Sequence, residues 1–134
     1  MINIKLPAVM DNLDQMIDFV LKGLDAYKIN DQKIRLACEE ALVNVINYAY
    51  GEDTGELEII KEVPSKENKI CIEIIDEGIA FNPLKKEEPD INKSMEERSI
   101  GGLGIFMIKE IMDKVEYKRE EGKNILKLEK YFDE

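Results

Sequence analysis

Apolar and polar residues alternate in INIKLP, residues 2–7, and Pro7 ends the segment, which predicts a short edge strand. The period then lengthens. Leu13, Met16, Ile17, Val20, Leu21 and Leu24 recur at helical spacing behind a candidate N-cap at Asp11 or Asn12, with Gly23 weakening the last turn. INDQKIRLACEEALVNVINYAYG predicts a second helix, from a cap at Asn30 or Asp31 to Gly51. Strand alternation returns in GELEIIKEV and KICIEIID, joined by the turn-rich Pro64-Ser65-Lys66-Glu67-Asn68. From Glu77 to about Gly101 no period is sustained, and Pro83, Pro89 and a mixed charge run fill the stretch. Such long connections are functional lids or disordered segments. Helical spacing resumes at Ile105, Ile108, Ile111, Met112 and Val115, and VEYKREEGKNILKLEKYF ends the chain as a hairpin turning near Glu121-Gly122-Lys123. The order β-α-α-β-β-lid-α-β-β segregates strands from helices. It predicts an α+β fold, a two-layer α/β sandwich whose mixed β-sheet is covered on one face by helices. Residues 1–134 read as one domain, without repeats or an interdomain linker.

Composition narrows the chemistry. Charged residues make up 36% and apolar residues 44%, with a formal charge of −10, so the chain reads as a soluble globular protein. That charge argues against nucleic acid as a partner, because phosphate-backbone binding rests on clustered Lys and Arg. A nucleotide is a different matter, since backbone N–H groups, a helix N-terminus and Mg2+ can hold it. The absence of His excludes a Cys/His zinc site and a Ser-His triad. Cys38 and Cys71 sit in apolar periodic segments and read as reduced core thiols of a cytoplasmic protein. No leader pattern and no apolar run near 18 residues points to a membrane.

Within CEEALVNVINYAY, Glu40, Asn44 and Asn47 interrupt an otherwise apolar helix. At about 100° per residue, Asn44 lies about 40° from Glu40 and Asn47 about 20° to its other side, so the three share a face. A carboxylate and two amides converging there suit a hard cation completed by phosphate oxygens, with Glu40 as a general base. Interhelical hydrogen bonds or plain solvation explain the same spacing. Asp76 ends an alternating strand where the chain turns at Gly78, so its carboxylate can accept from the exocyclic amine of a base that the glycine lets approach; a simple strand-ending turn is the alternative. In RSIGGLGIFMIKEIMD, glycines immediately precede an amphipathic helix and free backbone N–H groups for an anion, although a glycine-rich hinge fits as well. No Gly-Lys-Ser/Thr follows, so this is not a P-loop.

Together, Glu40-x3-Asn44, Asp76-x-Gly78 and Gly102-x-Gly104, in that order, resemble the N, G1 and G2 boxes of the Bergerat-type ATP-binding fold. Gyrase, Hsp90-like chaperones, histidine kinases and MutL share that fold. EEALVNVINYAY and GGLGIFMIKEIMD look most like the anti-sigma-factor serine/threonine kinases of bacterial partner-switching systems.

The resemblance implies ATP and Mg2+ as ligands. Asn44 would hold Mg2+ that bridges the phosphates. Asp76 would accept the adenine amine and Gly78 would make room for the base. Gly102, Leu103 and Gly104 would cradle phosphates, Arg98 would add positive charge, and residues 80–101 would form the ATP lid. Glu40 matches the family's catalytic glutamate. Ala80 replaces the second glycine of the usual G1 box, Tyr48 stands where many relatives carry His, and Asn124 stands where many have Thr near adenine; Asn124 is left outside the expected site. The implied partners are an anti-sigma-factor antagonist as substrate, an RNA polymerase sigma factor, and a second copy in a homodimer. The competing reading is a non-catalytic ATP-binding module whose nucleotide state sets partner affinity, and Glu40 favours the enzyme.

Overall fold

The computed structural model describes residues 1–27, 31–64, 66–82, 84 and 100–132. Strand β1 (Ile2–Pro7) is followed by α1 (Leu13–Leu21), α2 (Asp31–Tyr48), the hairpin β2 (Glu56–Glu62) and β3 (Lys69–Asp76), α3 (Ile100–Ile111), and the hairpin β4 (Lys114–Glu120) and β5 (Lys123–Tyr131). The element order is the one the hydrophobic pattern predicts. The α+β two-layer class holds as well.

One detail is corrected. The sheet, ordered β1-β2-β3-β5-β4, is antiparallel at every pairing and not mixed. Two helices between β1 and β2 return the chain to the end it left, so these neighbours run oppositely. The single helix between β3 and β4 does make those strands run the same way. They are not neighbours, however, because β5 folds back from β4 and inserts between them.

Alternation decides which face the helices cover. Leu57 and Ile59 on β2, Ile70, Ile72 and Ile74 on β3, and Leu126 and Leu128 on β5 are buried, and they form one cluster with Met16, Ile17 and Val20 of α1, Ile34, Cys38 and Leu42 of α2, and Ile105 and Ile108 of α3. Asp76 and Asn124 occupy the same inward parity and pair across β3 and β5, so two polar groups are delivered to the end of an apolar layer. The β4–β5 turn uses Glu121 and Gly122, both with positive φ (52° and 78°), as a tight hairpin requires.

Lys61 is the inward polar exception on β2. Its ammonium donates to the carbonyls of Phe19 (3.0 Å), Val20 (3.3 Å) and Lys22 (2.7 Å), closing the C-terminal end of α1. Burial lowers its pKa, and Lys22 adds to that. Asn12 stands at the N-cap of α1 but does not cap it; its amide donates instead to the Pro7 carbonyl (3.0 Å). Gly23, at φ 82°, turns the chain out of α1. Val115, expected on the last helix, begins the outer hairpin within β4. Both cysteines are free, and burial pushes the Cys38 thiol up to about 12.

Candidate functional site

The inward polar pair lies under α2. A small cavity of about 40 Å³ is lined there by Asn44 and Tyr48 of α2, Asp76, Phe81, Ile105 of α3, and Asn124 among others. A larger cavity, of about 520 Å³, opens at the same end of the sheet, where Lys5, Glu58, Ile75 and Lys123 point away from the helices. Asn44 and Glu40 do not line it. The smaller cavity is the one where unspent polar groups converge.

Asn44 carries the clearest signal. Its Nδ2 is buried and has no hydrogen-bond partner among the described residues, whereas buried polar atoms are ordinarily paired. Amide orientation is assigned from the surrounding network, so the same group offers either Nδ2 to an anion or Oδ1 to a cation. Asn47, expected on the same face, is exposed and lies outside the cavity. The face of α2 turned to the cavity runs through Ala41, Asn44, Val45 and Tyr48. Glu40, half-buried, stands one turn before Asn44 and abuts α3. A Cβ on Gly104 would lie 2.7 Å from Glu40 Oε2, so that glycine leaves room for the carboxylate between the two helices.

Asp76 is buried at the end of β3, where its Oδ1 accepts from the Gly78 N–H (2.9 Å) and from Asn124 Nδ2 (2.9 Å). A carboxylate oxygen has two lone pairs, so Oδ1 is filled and Oδ2 is left to face a ligand. Gly78 is a glycine here for a different reason from the one the sequence suggests. A Cβ at this position would lie 2.0 Å from the Ala49 carbonyl oxygen, and the next amide, Ile79 N–H, donates to that same oxygen (2.9 Å). The loop after β3 is therefore pressed against the C-terminal end of α2. Gly78→Ala forces one of these backbones to move and is expected to cost about 1–3 kcal/mol. Urea unfolding checks it: an unchanged midpoint means that the contact is absent.

Tyr50 braces the same corner. Its hydroxyl accepts from the Glu77 N–H (2.9 Å) and donates to the Glu56 carbonyl. Burial is the first cause of its raised pKa, which keeps the hydroxyl protonated.

The glycines Gly101, Gly102 and Gly104 lie inside α3 rather than before it, because the helix begins at Ile100. N–H groups in a first helical turn have no intrahelical partner, so those of Gly101 and Gly102 are offered to an anion even so. Leu103 follows in the same helix. Arg98 and residues 83 and 85–99 of the expected lid lie outside the described residues.

Residues 6–130 match the histidine kinase-like ATPase domain family. The chain belongs to that family. Among relatives of this ATPase domain, the serine-protein kinase RsbW of Bacillus thuringiensis (strain Al Hakam) is 36% identical over 102 residues, 73% of this chain and 61% of the relative. RsbW of Bacillus mycoides (strain KBAB4) is 36% identical over 99 residues, 71% of this chain and 61% of the relative. The chain thus spans about 61% of the length of these curated relatives. The solved histidine kinase AdeS of Acinetobacter baumannii shares the fold, with a TM-score of 0.56 at 15% identity over all of this chain and 70% of that one. No helix among the described residues is long and apolar enough to cross a membrane.

Asn124, Tyr117 and Arg119 were not among the expected site residues. Asn124 is buried and bonded to Asp76, and Arg119 Nη1 donates to the Gly78 carbonyl (2.8 Å). The signal for Asn124 is present in the chain: it is the polar member of the inward series Asn124, Leu126, Leu128. Tyr117 and Arg119 leave no comparable mark, because they sit on an edge strand whose alternation is mostly exposed.

Proposed function

We propose that the chain, as one ATP-binding domain over residues 1–134, is a protein serine/threonine kinase that acts as a cytoplasmic anti-sigma factor. Its substrate would be a Ser/Thr of an anti-sigma-factor antagonist, and it would hold a sigma factor as a homodimer. Family membership and the serine-protein kinase relatives support this reading. The observation that carries it is the unpartnered Asn44 amide in the same cavity as buried Asp76, with Glu40 one turn away on α2.

The donor set suits the implied ligands. The described residues hold no group of three or more His, Cys, Asp or Glu that could cage a metal, and Mg2+ is ordinarily bound by few protein oxygens together with phosphates. When bound, Mg2+ would neutralise phosphate charge, with Asn44 as its protein ligand. Asp76 Oδ2 would accept the adenine amine. Gly102, Leu103 and Gly104 would present the start of α3 to the phosphates, and Arg98 would add charge. The cavity of about 40 Å³ must widen for a purine, and Phe81, on the segment leaving β3, is the wall outside regular structure. Glu40 would take the proton of the partner's hydroxyl as its oxygen bonds to the γ-phosphorus and the bond to the β–γ bridging oxygen breaks. Such transfer depends mainly on positioning and charge neutralisation.

Incubation with labelled ATP and a cognate antagonist, followed by phosphosite mapping, tests this function. A phosphoserine or phosphothreonine on the antagonist is the expected result. ATP bound without any phosphoprotein from a verified partner returns the reading to the non-catalytic module. Asn44→Ala is expected to weaken Mg-ATP by about tenfold or more and to flatten its Mg2+ dependence. Calorimetry with and without Mg2+ decides it, and undiminished Mg-dependent affinity excludes Asn44 as the ligand.

A further inference from the structure

Asn124 spends every hydrogen bond that a carboxamide can make. Its Nδ2 donates to Asp76 Oδ1 (2.9 Å) and to the Ile79 carbonyl (2.7 Å). Its Oδ1 accepts from the Tyr117 hydroxyl (2.5 Å) and the Phe81 N–H (3.4 Å). Nothing is left over for a base. A flipped amide would set Nδ2 against two donors, so Tyr117 and Phe81 fix which way the amide points. That in turn fixes Asp76: Oδ1 is filled by Asn124 and Gly78, and Oδ2 faces the cavity as a pure acceptor.

We infer that Asn124, held by Tyr117, is the positioning residue that makes this site select an aminopurine nucleotide and ties that selection to the root of the lid. The inference rests on the ATP-binding reading above and adds a specificity device to it. The tie to the lid is made of backbone: Ile79 O and Phe81 N are held by Asn124, and Gly78 O is held by Arg119. The β4–β5 hairpin thus grips residues 78–81 at the point where the chain leaves the base site. With the carboxylate unpinned, Asp76 can rotate or protonate and present a donor, and a 6-oxopurine then competes.

Titration of the whole chain with adenosine diphosphate and inosine diphosphate, which differ at the exocyclic group, tests the inference. The wild type is expected to favour the adenine nucleotide. Asn124→Leu is expected to cut the adenine-to-inosine affinity ratio by about tenfold, and Tyr117→Phe by about threefold. A purely structural role weakens both nucleotides together and leaves the ratio alone. Unchanged ratios in both variants overturn the inference while the ATP reading stands. A wild type that binds neither nucleotide overturns the ATP reading and this inference with it. Should Asn124→Leu lose its helical circular dichroism, Tyr117→Phe decides, and an unchanged ratio there is the overturning result.

Discussion

Glu40→Gln is expected to leave nucleotide affinity within about threefold of wild type while slowing phosphoryl transfer to the partner about 10²–10⁴-fold. Gln keeps the length of the side chain and one oxygen, so the space beside Gly104 is still filled. It cannot accept a proton, however, and it carries no charge to orient a hydroxyl. Under the proposed function, that separates the base from the binding apparatus on the neighbouring turn. Single-turnover transfer from labelled ATP, set beside calorimetric affinity, checks both halves. Full-rate transfer by the variant removes Glu40 from the chemistry. Equal loss of affinity and rate assigns it to binding instead.

Asp76→Asn is expected to weaken adenine-nucleotide binding about 100-fold. The Asn oxygen would take over the bonds from Gly78 N–H and Asn124 Nδ2, which turns its NH2 into the place of Oδ2. A donor then meets the amine, itself a donor, in a site shielded from water. The same substitution should narrow the gap to inosine diphosphate, whose 6-oxo group accepts. Tight ATP binding by Asp76→Asn sinks the assignment of Asp76 to the base.

The sequence carried the layer arrangement because the period of the hydrophobic pattern changes cleanly from two to about 3.6 at each boundary. Parity alone put Asp76 on the inward face of β3 and kept it in register with Ile70, Ile72 and Ile74. Whether the sheet was mixed or antiparallel was not legible, since that depends on β5 slipping between β3 and β4, a long-range pairing without a local mark. Helical phase grouped Asn47 with Glu40 and Asn44, yet α2 presents the cavity with a face rotated toward Ala41, Val45 and Tyr48, which leaves Asn47 in solvent. The glycines were recognised as meaningful, but two of their reasons are close packing: Gly78 against Ala49, and Gly104 against Glu40. Such contacts join residues far apart in the chain, and no spacing rule announces them.

The backbone bond from Ile79 to the Ala49 carbonyl has a consequence for scale. It anchors the loop beside Asp76 to the end of the same helix that carries Asn44 and Glu40. At about 1.5 Å of rise per residue, Glu40 to Ala49 spans about 13 Å of axis, comparable to an extended nucleoside triphosphate. Helix α2 is in that sense a ruler with one end clamped at the base and its working mark at the terminal phosphate. A single residue inserted between the clamp and the mark would lengthen the ruler by about 1.5 Å and swing Glu40 by about 100° around it. This stretch of chain should therefore tolerate exchanged side chains far better than a changed count.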